Sequence, residues 1–267
     1  MSSEHLYKEE HGDGDPILCL HGLGANVFTW RHFIDPFSRN NKLILVDLKG
    51  FGKSAKPDDH HYSIQDHADA VYELILENDW RRLTLIGNSY GGALALLLAA
   101  RLEESKPSRL SKMVLIDPAA YKEYLPGYVK LMRTSLGTLM NFSLPARRSV
   151  RFVLNLSFFD KKKVTEDEVA AYAGPLADPG ARVALLQTIR QCIPADADEL
   201  VTKFKSISVP TLVLWGRQDK VIPLRVGERL NEDLPNSVLE VFEECGHVPQ
   251  EEQPQKTIAR ISEFLWD

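Results

Sequence analysis

The sequence has 267 residues, of which 44% are hydrophobic and 26% are charged, and its formal net charge is −5. This length is enough for one large α/β domain with its own core. The acidic balance lacks the basic excess that binding to nucleic-acid phosphates requires, so no nucleic-acid partner is expected. No apolar run approaches the roughly eighteen residues of a membrane-spanning helix.

Three cysteines, Cys19, Cys192 and Cys245, are too few and too widely spaced for a disulfide framework or a zinc site. The first residues, MSSEHLYKEE, have no apolar core of the kind found in signal peptides. Both features predict a cytoplasmic protein, either a monomer or a homodimer. The chain also has no phosphate-binding glycine loop and no metal-binding histidine pair, so neither a cofactor nor a metal is expected.

Short apolar runs alternate with helical patterns along most of the chain, which is typical of a parallel sheet with crossover helices. The strand candidates in chain order are residues 6–10, 17–20, 43–46, 83–86, 113–116, 211–215 and 238–242. The first of these is expected to be an antiparallel edge strand. The helix candidates between and after them are residues 30–37, 64–77, 89–101, 224–231 and 255–264.

The alternation stops after residue 117 and resumes at residue 209. The intervening segment has several helical patches separated by prolines, and it has no run typical of a buried strand. We therefore predict a helical insertion, residues 119–208, in a core formed by residues 1–118 and 209–267.

Polar or glycine-rich loops follow the predicted strands, at the edge of the sheet where α/β proteins bind ligands. They read HGLGAN, DLKGFGKS, GNSYGG, GRQDKVIP and EECGHVPQEEQP. The third loop places Ser89 between Gly87 and Gly91 in a tight strand-to-helix turn, which holds a hydroxyl above the sheet. A serine nucleophile needs a histidine base with a carboxylate partner. Asp219 and His247 follow in later loops, in the Ser, Asp, His order associated with this turn.

Together these loops resemble those of the α/β-hydrolase superfamily, in particular its capped esterases and meta-cleavage-product hydrolases. The resemblance covers nearly the whole chain. It implies a mostly parallel central sheet of about eight strands, with helices on both faces and the insertion as a helical cap. It also implies that Ser89 is the nucleophile, Asp219 the acid and His247 the base. The backbone N–H groups of Leu23 and Tyr90 are then expected to form the oxyanion hole.

Other residues compete for these roles. Asp117 is a rival for Asp219, because some members of the superfamily carry their acid after the strand that follows the nucleophile helix. His21 competes with His247, although a ring that braces the oxyanion loop explains His21 better. Cys245 fits a small buried residue better than a nucleophile.

Substrate contacts are harder to predict, because any one apolar side chain fits ordinary packing equally well. The candidates are His21, Phe28, Asn88, Phe142, Leu144, Phe158 and Val248. Arg147, Arg148 and Arg190 are candidates for contact with an anionic substrate, although such charge clusters are usually solvated helix faces.

The expected function is hydrolysis of a small-molecule carboxylic ester, of small to medium acyl chain, through an acyl-enzyme. The Gly-Asn-Ser turn also resembles hydrolases that cleave a carbon–carbon bond of vinylogous diketones after aromatic ring fission. Those enzymes usually carry Trp near the catalytic histidine, and GHVPQEEQP has none. A ligand receptor with slow residual hydrolysis is a third alternative. Dehalogenases and epoxide hydrolases need Asp where this chain has Ser89.

Overall fold

The computed structural model describes residues 6–106 and 108–266. Within them, seven strands form one sheet in the order β1-β3-β2-β4-β5-β6-β7. The strands are Tyr7–His11 (β1), Asp15–Leu20 (β2), Asn41–Asp47 (β3), Leu83–Asn88 (β4), Leu110–Ile116 (β5), Thr211–Gly216 (β6) and Ser237–Phe242 (β7). β1 pairs antiparallel with β3, and all other pairs are parallel. The predicted α/β fold with a mostly parallel sheet is confirmed.

The sheet has one strand fewer than the resemblance implied, within the described residues. The seven strands overlap the seven strand candidates of the sequence. β1 lies at the edge and has the charged sequence YKEEH, which suits a strand with no neighbour on its outer side. In contrast, β4 and β6 are buried along their whole length, as expected for central parallel strands.

The described residues contain twelve α-helices, numbered here in chain order. They are Ile34–Phe37 (α1), Ile64–Glu77 (α2), Tyr90–Ser105 (α3), Gly127–Met132 (α4), Ser135–Ser143 (α5), Ala146–Ser157 (α6), Glu166–Ala173 (α7), Pro179–Gln191 (α8), Ala197–Thr202 (α9), Arg225–Asp233 (α10), Pro249–Glu252 (α11) and Pro254–Trp266 (α12). Among them, none combines the length and apolar character that crossing a lipid bilayer requires.

Helices cover both faces of the sheet, as predicted. Side chains of α2, α3 and α10 share one apolar cluster with alternate residues of the strands, such as Leu18 and Leu85. The intervening strand residues, such as Ile17 and Ile86, pack on the opposite face with side chains of α1 and α12. This alternation follows from the two-residue period of a strand, which points successive side chains to opposite faces.

Helices α4 to α9 all lie between β5 and β6 in the sequence. β5 and β6 are parallel neighbours in the sheet, with Met113 opposite Thr211, so the chain leaves the sheet after β5 and returns to it in the adjacent strand. The helices therefore occupy the segment predicted to be an insertion. That these helices form a cap separate from the core stays a prediction.

Two glutamates of α11 join this helical segment to the rest of the chain. Glu252 accepts hydrogen bonds from the backbone N–H groups of Phe159 and Asp160, at 3.1 and 2.7 Å. Glu251 accepts a hydrogen bond from the Tyr172 hydroxyl of α7 at 2.7 Å and is paired with Arg31 at 2.6 Å. Burial raises the pKa of Glu251, and the Arg31 guanidinium partly offsets that effect. These bonds tie α6 and α7 to the loop that carries His247.

α3 crosses the end of β2 at a distance that only glycine permits. A Cβ atom added to Gly91 would lie 2.1 Å from the carbonyl oxygen of Leu20. One added to Gly92 would lie 2.6 Å from the Cβ of Pro118. The two glycines after Ser89 thus have a packing role as well as a place in the turn.

We predict that Gly91→Ala destabilises the fold by at least about 2 kcal/mol, because the new methyl group overlaps backbone that cannot move freely. Gly127→Ala is the matched control, since no heavy atom lies within 4 Å of its added Cβ. That change at the start of α4 should be neutral or stabilising by less than about 1 kcal/mol. Urea denaturation of both variants measures the difference, and equal free energies of unfolding would contradict the prediction.

Candidate active site

Ser89 is the single residue between the end of β4 and the start of α3. Its φ of 54° and ψ of −115° lie in a region that residues with a side chain rarely adopt. Backbone hydrogen bonds hold this conformation: Ser89 N–H donates to the Ile116 carbonyl, and the Ser89 carbonyl accepts from Ala119 N–H, both at 3.0 Å. Strain of this kind is concentrated at functional sites.

Asp219 and His247 are joined by a short hydrogen bond, with 2.6 Å between Oδ2 and Nδ1. Both side chains are buried, with 0% and 6% of their surface exposed, respectively. The other carboxylate oxygen of Asp219 accepts from the N–H groups of Val221 and Ile222, at 2.6 and 3.1 Å. With Nδ1–H bonded to a carboxylate, the Nε2 atom of His247 keeps its lone pair and can accept a proton.

Asn88 links this pair to the turn at Ser89. Its side-chain N–H₂ donates to the carbonyls of Ile116 and His247, at 3.0 and 3.2 Å. The structure therefore brings the loops of Ser89, Asp219 and His247 to one edge of the sheet. Within the described residues no hydrogen bond joins the Ser89 hydroxyl to His247. The hydrogen bond between a catalytic hydroxyl and its histidine is often too long to count when no substrate is bound.

The two residues whose amides are predicted to form the oxyanion hole, Leu23 and Tyr90, border the same cavity as Ser89. Tyr90 is the first residue of α3, where an N–H group has no acceptor within the helix. The loop of Leu23 passes beside Ser89, because a Cβ on Gly22 would lie 3.3 Å from that of Ser89. The Tyr90 hydroxyl is hydrogen-bonded to Nδ1 of His67 at 2.7 Å. Burial lowers the pKa of His67 to about 4, so this ring is neutral near pH 7.

Asp117, the rival for the acid role, lies directly behind Asp219. Oxygens of Asp117 and Asp219 and a ring nitrogen of His247 lie within 4.8 Å of one another. One carboxyl oxygen of Asp117 accepts from Gly216 N–H at 3.0 Å, and its other oxygen has no partner among the described residues. Burial, reinforced by the neighbouring Asp219 carboxylate, raises the pKa of Asp117 well above its usual value. In this geometry Asp219 bonds to the histidine, and burial favours the neutral form of the Asp117 carboxyl.

We predict that Asp117→Asn becomes more stable relative to the wild type as pH rises from about 4 to 7. Folding raises the pKa of Asp117. At a pH above the pKa of the unfolded chain, the wild type must therefore bind a proton when it folds, and its free energy of unfolding falls as pH rises. The neutral asparagine has no such requirement. Thermal unfolding of both proteins across this pH range checks the prediction, and a constant difference in Tm would contradict it.

The cavity that Ser89 borders, called here the Ser89 cavity, has a volume of about 130 Å³. It lies between α3, the residues after β5, and the end of the helical segment. Its wall consists of Leu23, Ile64, Ser89, Tyr90, Ala93, Leu96, Leu97, Ala100, Ala119, Ala120, Tyr121, Lys122, Tyr124, Leu125, Pro126, Tyr128, Val129, Cys192, Ile193, Pro194, Ala197, Leu200, Val201, Phe204, Ile222 and Val226. Lys122 is the one charged residue in this wall, and it is paired with Asp198.

Two of the predicted substrate contacts are buried beside the cavity rather than in its wall. His21 is fully buried, with Nδ1 bonded to the Gly22 carbonyl at 2.8 Å and Nε2 accepting from Leu48 N–H at 3.0 Å. Both ring nitrogens are used, which matches the bracing role considered for it. Asn88 is 3% exposed and makes the two bonds to carbonyls described above.

The five apolar candidates also lie outside the wall of the Ser89 cavity. Phe28, Phe158 and Val248 belong to a separate apolar cluster with side chains of α6 and α7. Phe142 and Leu144 are exposed by 49% and 37%. The sequence pattern of a short helix does not show which of its faces packs against the core, which is why Phe142 and Leu144 were predicted as substrate contacts.

The three arginines considered for an anionic substrate do not border the cavity either. Arg147 pairs with Glu166, and Arg190 donates to the Thr138 hydroxyl at 2.9 Å. Cys245 is fully buried in the core, as predicted, and burial raises the pKa of its thiol.

Several wall residues were missed by the sequence reasoning. Ala93, Leu97 and Ala100 follow Ser89 at helical spacing, so the period of α3 was a usable signal for them. Tyr128 and Phe204 belong to the helical segment, and no local pattern places them near Ser89.

A family model for the alpha/beta hydrolase fold matches residues 15–254. The chain belongs to this family. It is 28% identical over 262 residues to the uncharacterized hydrolase YugF of Bacillus subtilis, covering 93% of this chain and 89% of that protein. It is also 28% identical over 260 residues to the 2-hydroxy-6-oxo-2,4-heptadienoate hydrolase of Pseudomonas putida, covering 95% and 90%.

The fold is shared with solved structures as well. The esterase EaEST from Exiguobacterium antarcticum superposes with a TM-score of 0.83 at 24% identity, over 98% of this chain and 96% of that one. At this identity the likeness concerns the fold alone. The family match identifies this chain as a hydrolase of the α/β fold.

Proposed function

We propose that this hydrolase cleaves carboxylic esters through an acyl-enzyme on Ser89. The observation that carries the proposal is the apolar wall of the Ser89 cavity, whose one cation is already paired. A neutral acyl group gains free energy by burying its apolar surface there. A free carboxylate would lose its hydration with no unpaired cation in the wall to replace it.

The arrangement of side chains suits this chemistry. Ser89 Oγ attacks the ester carbonyl while Nε2 of His247 takes its proton, and Asp219 stabilises the imidazolium that forms. The N–H groups of Leu23 and Tyr90 donate to the developing oxyanion. His247 then protonates the leaving alcohol, and a water molecule repeats the sequence to release the acid. None of these steps needs a cofactor or a metal ion.

Carbon–carbon bond hydrolysis is the second candidate, favoured by the similarity to the heptadienoate hydrolase over nearly the whole chain. Asn88 before the nucleophile also fits it. A dienoate carries a carboxylate, however, and the wall of the Ser89 cavity has only the paired Lys122 to receive one. We therefore rank ester hydrolysis first.

We predict steady turnover of p-nitrophenyl esters by the wild type and a loss of about four or more decades in kcat for Ser89→Ala. Ser135→Ala, an exposed serine of α5, is the matched control and should behave as the wild type. A heptadienoate ring-fission product is assayed in parallel. Fast dienoate cleavage with slow ester cleavage would favour the carbon–carbon reaction, and a single stoichiometric turnover would favour the receptor alternative.

We predict that Asp219→Asn lowers kcat/KM by about 10³-fold or more, because the histidine loses the charge that stabilises its protonated form. The loss of kcat/KM in Asp117→Asn should be smaller by a factor of about 100 or more. Asp117 makes no bond to His247, and burial already favours its neutral form. Steady-state kinetics at pH 7 compare the two isosteric variants. A larger loss in Asp117→Asn would assign the acid role to Asp117.

A further inference from the structure

The Ser89 cavity follows one helix face away from the nucleophile. Ser89, Ala93, Leu97 and Ala100 all border it, at successive steps of four, four and three residues. Residues at these spacings form a single stripe along an α-helix. Ala93 and Leu97 remain partly exposed although α3 is otherwise a core helix, which is consistent with side chains that face an open space.

The length of this stripe defines the depth of the cavity. At about 1.5 Å of rise per residue, Ala93 lies about 6 Å and Ala100 about 16 Å from Ser89 along the axis of α3. A fully extended alkyl chain, with carbon–carbon bonds of about 1.5 Å, advances about 1.25 Å per bond. A chain of about five carbons therefore reaches Ala93, and one of about thirteen carbons reaches Ala100.

Three polar side chains of the wall already have hydrogen-bond partners. The Tyr90 hydroxyl is bonded to His67, and the Tyr121 hydroxyl donates to Asp233 at 2.7 Å. The Cys192 thiol donates to the Ile189 carbonyl at 3.2 Å. These polar wall groups already have partners within the protein, and most of the remaining wall is aliphatic.

The cavity also lies on one particular side of the reacting bond. Its wall contains Ser89 and the two residues predicted to supply the oxyanion amides, Leu23 and Tyr90, but not His247. The leaving alcohol must reach His247 to be protonated, so the alcohol departs on the histidine side. The group that extends into the cavity is then the acyl chain, which stays attached to Ser89.

We propose that the substrates are esters of straight-chain fatty acids, whose alkyl chain lies along α3 from Ser89 towards Ala100. This inference rests on the proposed ester hydrolysis and specifies its substrate class. The burial of each further methylene contributes about 0.8 kcal/mol, so kcat/KM should rise with acyl length until the cavity is filled. Ala93 and Ala100 then act as a near and a far limit on chain length.

The test is the kcat/KM of p-nitrophenyl esters from acetate to hexadecanoate. In the wild type we expect a maximum near twelve carbons, because a chain of about thirteen carbons spans the depth of about 16 Å. Ala93→Leu should lower the ratio of octanoate to butyrate hydrolysis at least tenfold. Ala100→Leu should lower the ratio of dodecanoate to octanoate at least tenfold, with a smaller effect on the octanoate-to-butyrate ratio. Ala170→Leu, at an exposed alanine of α7, is the control and should keep the wild-type profile.

A second measurement needs no variant and so does not depend on the folding of the leucine variants. The wild type should hydrolyse straight-chain esters at least tenfold faster than pivalate, cyclohexanecarboxylate or benzoate esters. A series of alkyl acetates, in which only the alcohol lengthens, should show a much flatter profile.

The outcomes separate this inference from the proposed function. If the wild type hydrolyses no ester, or Ser89→Ala keeps full activity, ester hydrolysis itself fails. Two results would show that the placement along α3 is wrong although esters are hydrolysed. Esters of bulky acyl groups could be hydrolysed as fast as straight-chain esters, or both leucine variants could lower kcat/KM at the same acyl chain length. If rates rise with alcohol length instead, the alkyl chain lies on the leaving-group side, and the inference is overturned.

Discussion

The close approach of α3 to the ends of β2 and β4 is the constraint on which the rest of the site depends. Gly91 lies against the Leu20 carbonyl, where no side chain fits, so α3 can begin one residue after β4. Ser89 is left in a strained conformation between them, and its backbone bonds to the loop after β5 hold it there. The same helix forms one wall of the Ser89 cavity, so the turn that positions Ser89 also determines where this cavity lies.

Buried carboxyl groups organise the opposite side of the site. Asp219 accepts two backbone N–H bonds besides its bond to His247, which holds the carboxylate in one orientation. Asp117 lies close to it with a raised pKa, because burial disfavours the charged form of its carboxyl and the Asp219 carboxylate repels it. Glu252 accepts from Gly246 N–H at 2.7 Å and from N–H groups at the end of α6. A single side chain thus couples the loop of the predicted base to the helical segment.

The sequence predicted best what depends on local pattern. The strands β2 to β7 appear where apolar runs end in glycine-rich or polar loops, since a buried parallel strand must be apolar and its connection must turn sharply. The same reasoning placed Ser89, Asp219 and His247 at one edge of the sheet. It did not find the wall of the cavity, because Phe142 and Leu144 look as apolar as Tyr128 and Phe204, and only packing decides which of them faces Ser89.

The sequence by itself determined the α/β fold, the turn at Ser89 and the order of the polar loops, because glycine spacing and strand period act over a few neighbouring residues. Only the tertiary structure decided which carboxylate bonds to His247, since Asp117 and Asp219 both follow strands that end at the same edge. It also decided that the cavity follows α3 rather than the exposed face of α5. That outcome depends on how distant segments pack around one helix face, and no local pattern in the chain encodes it.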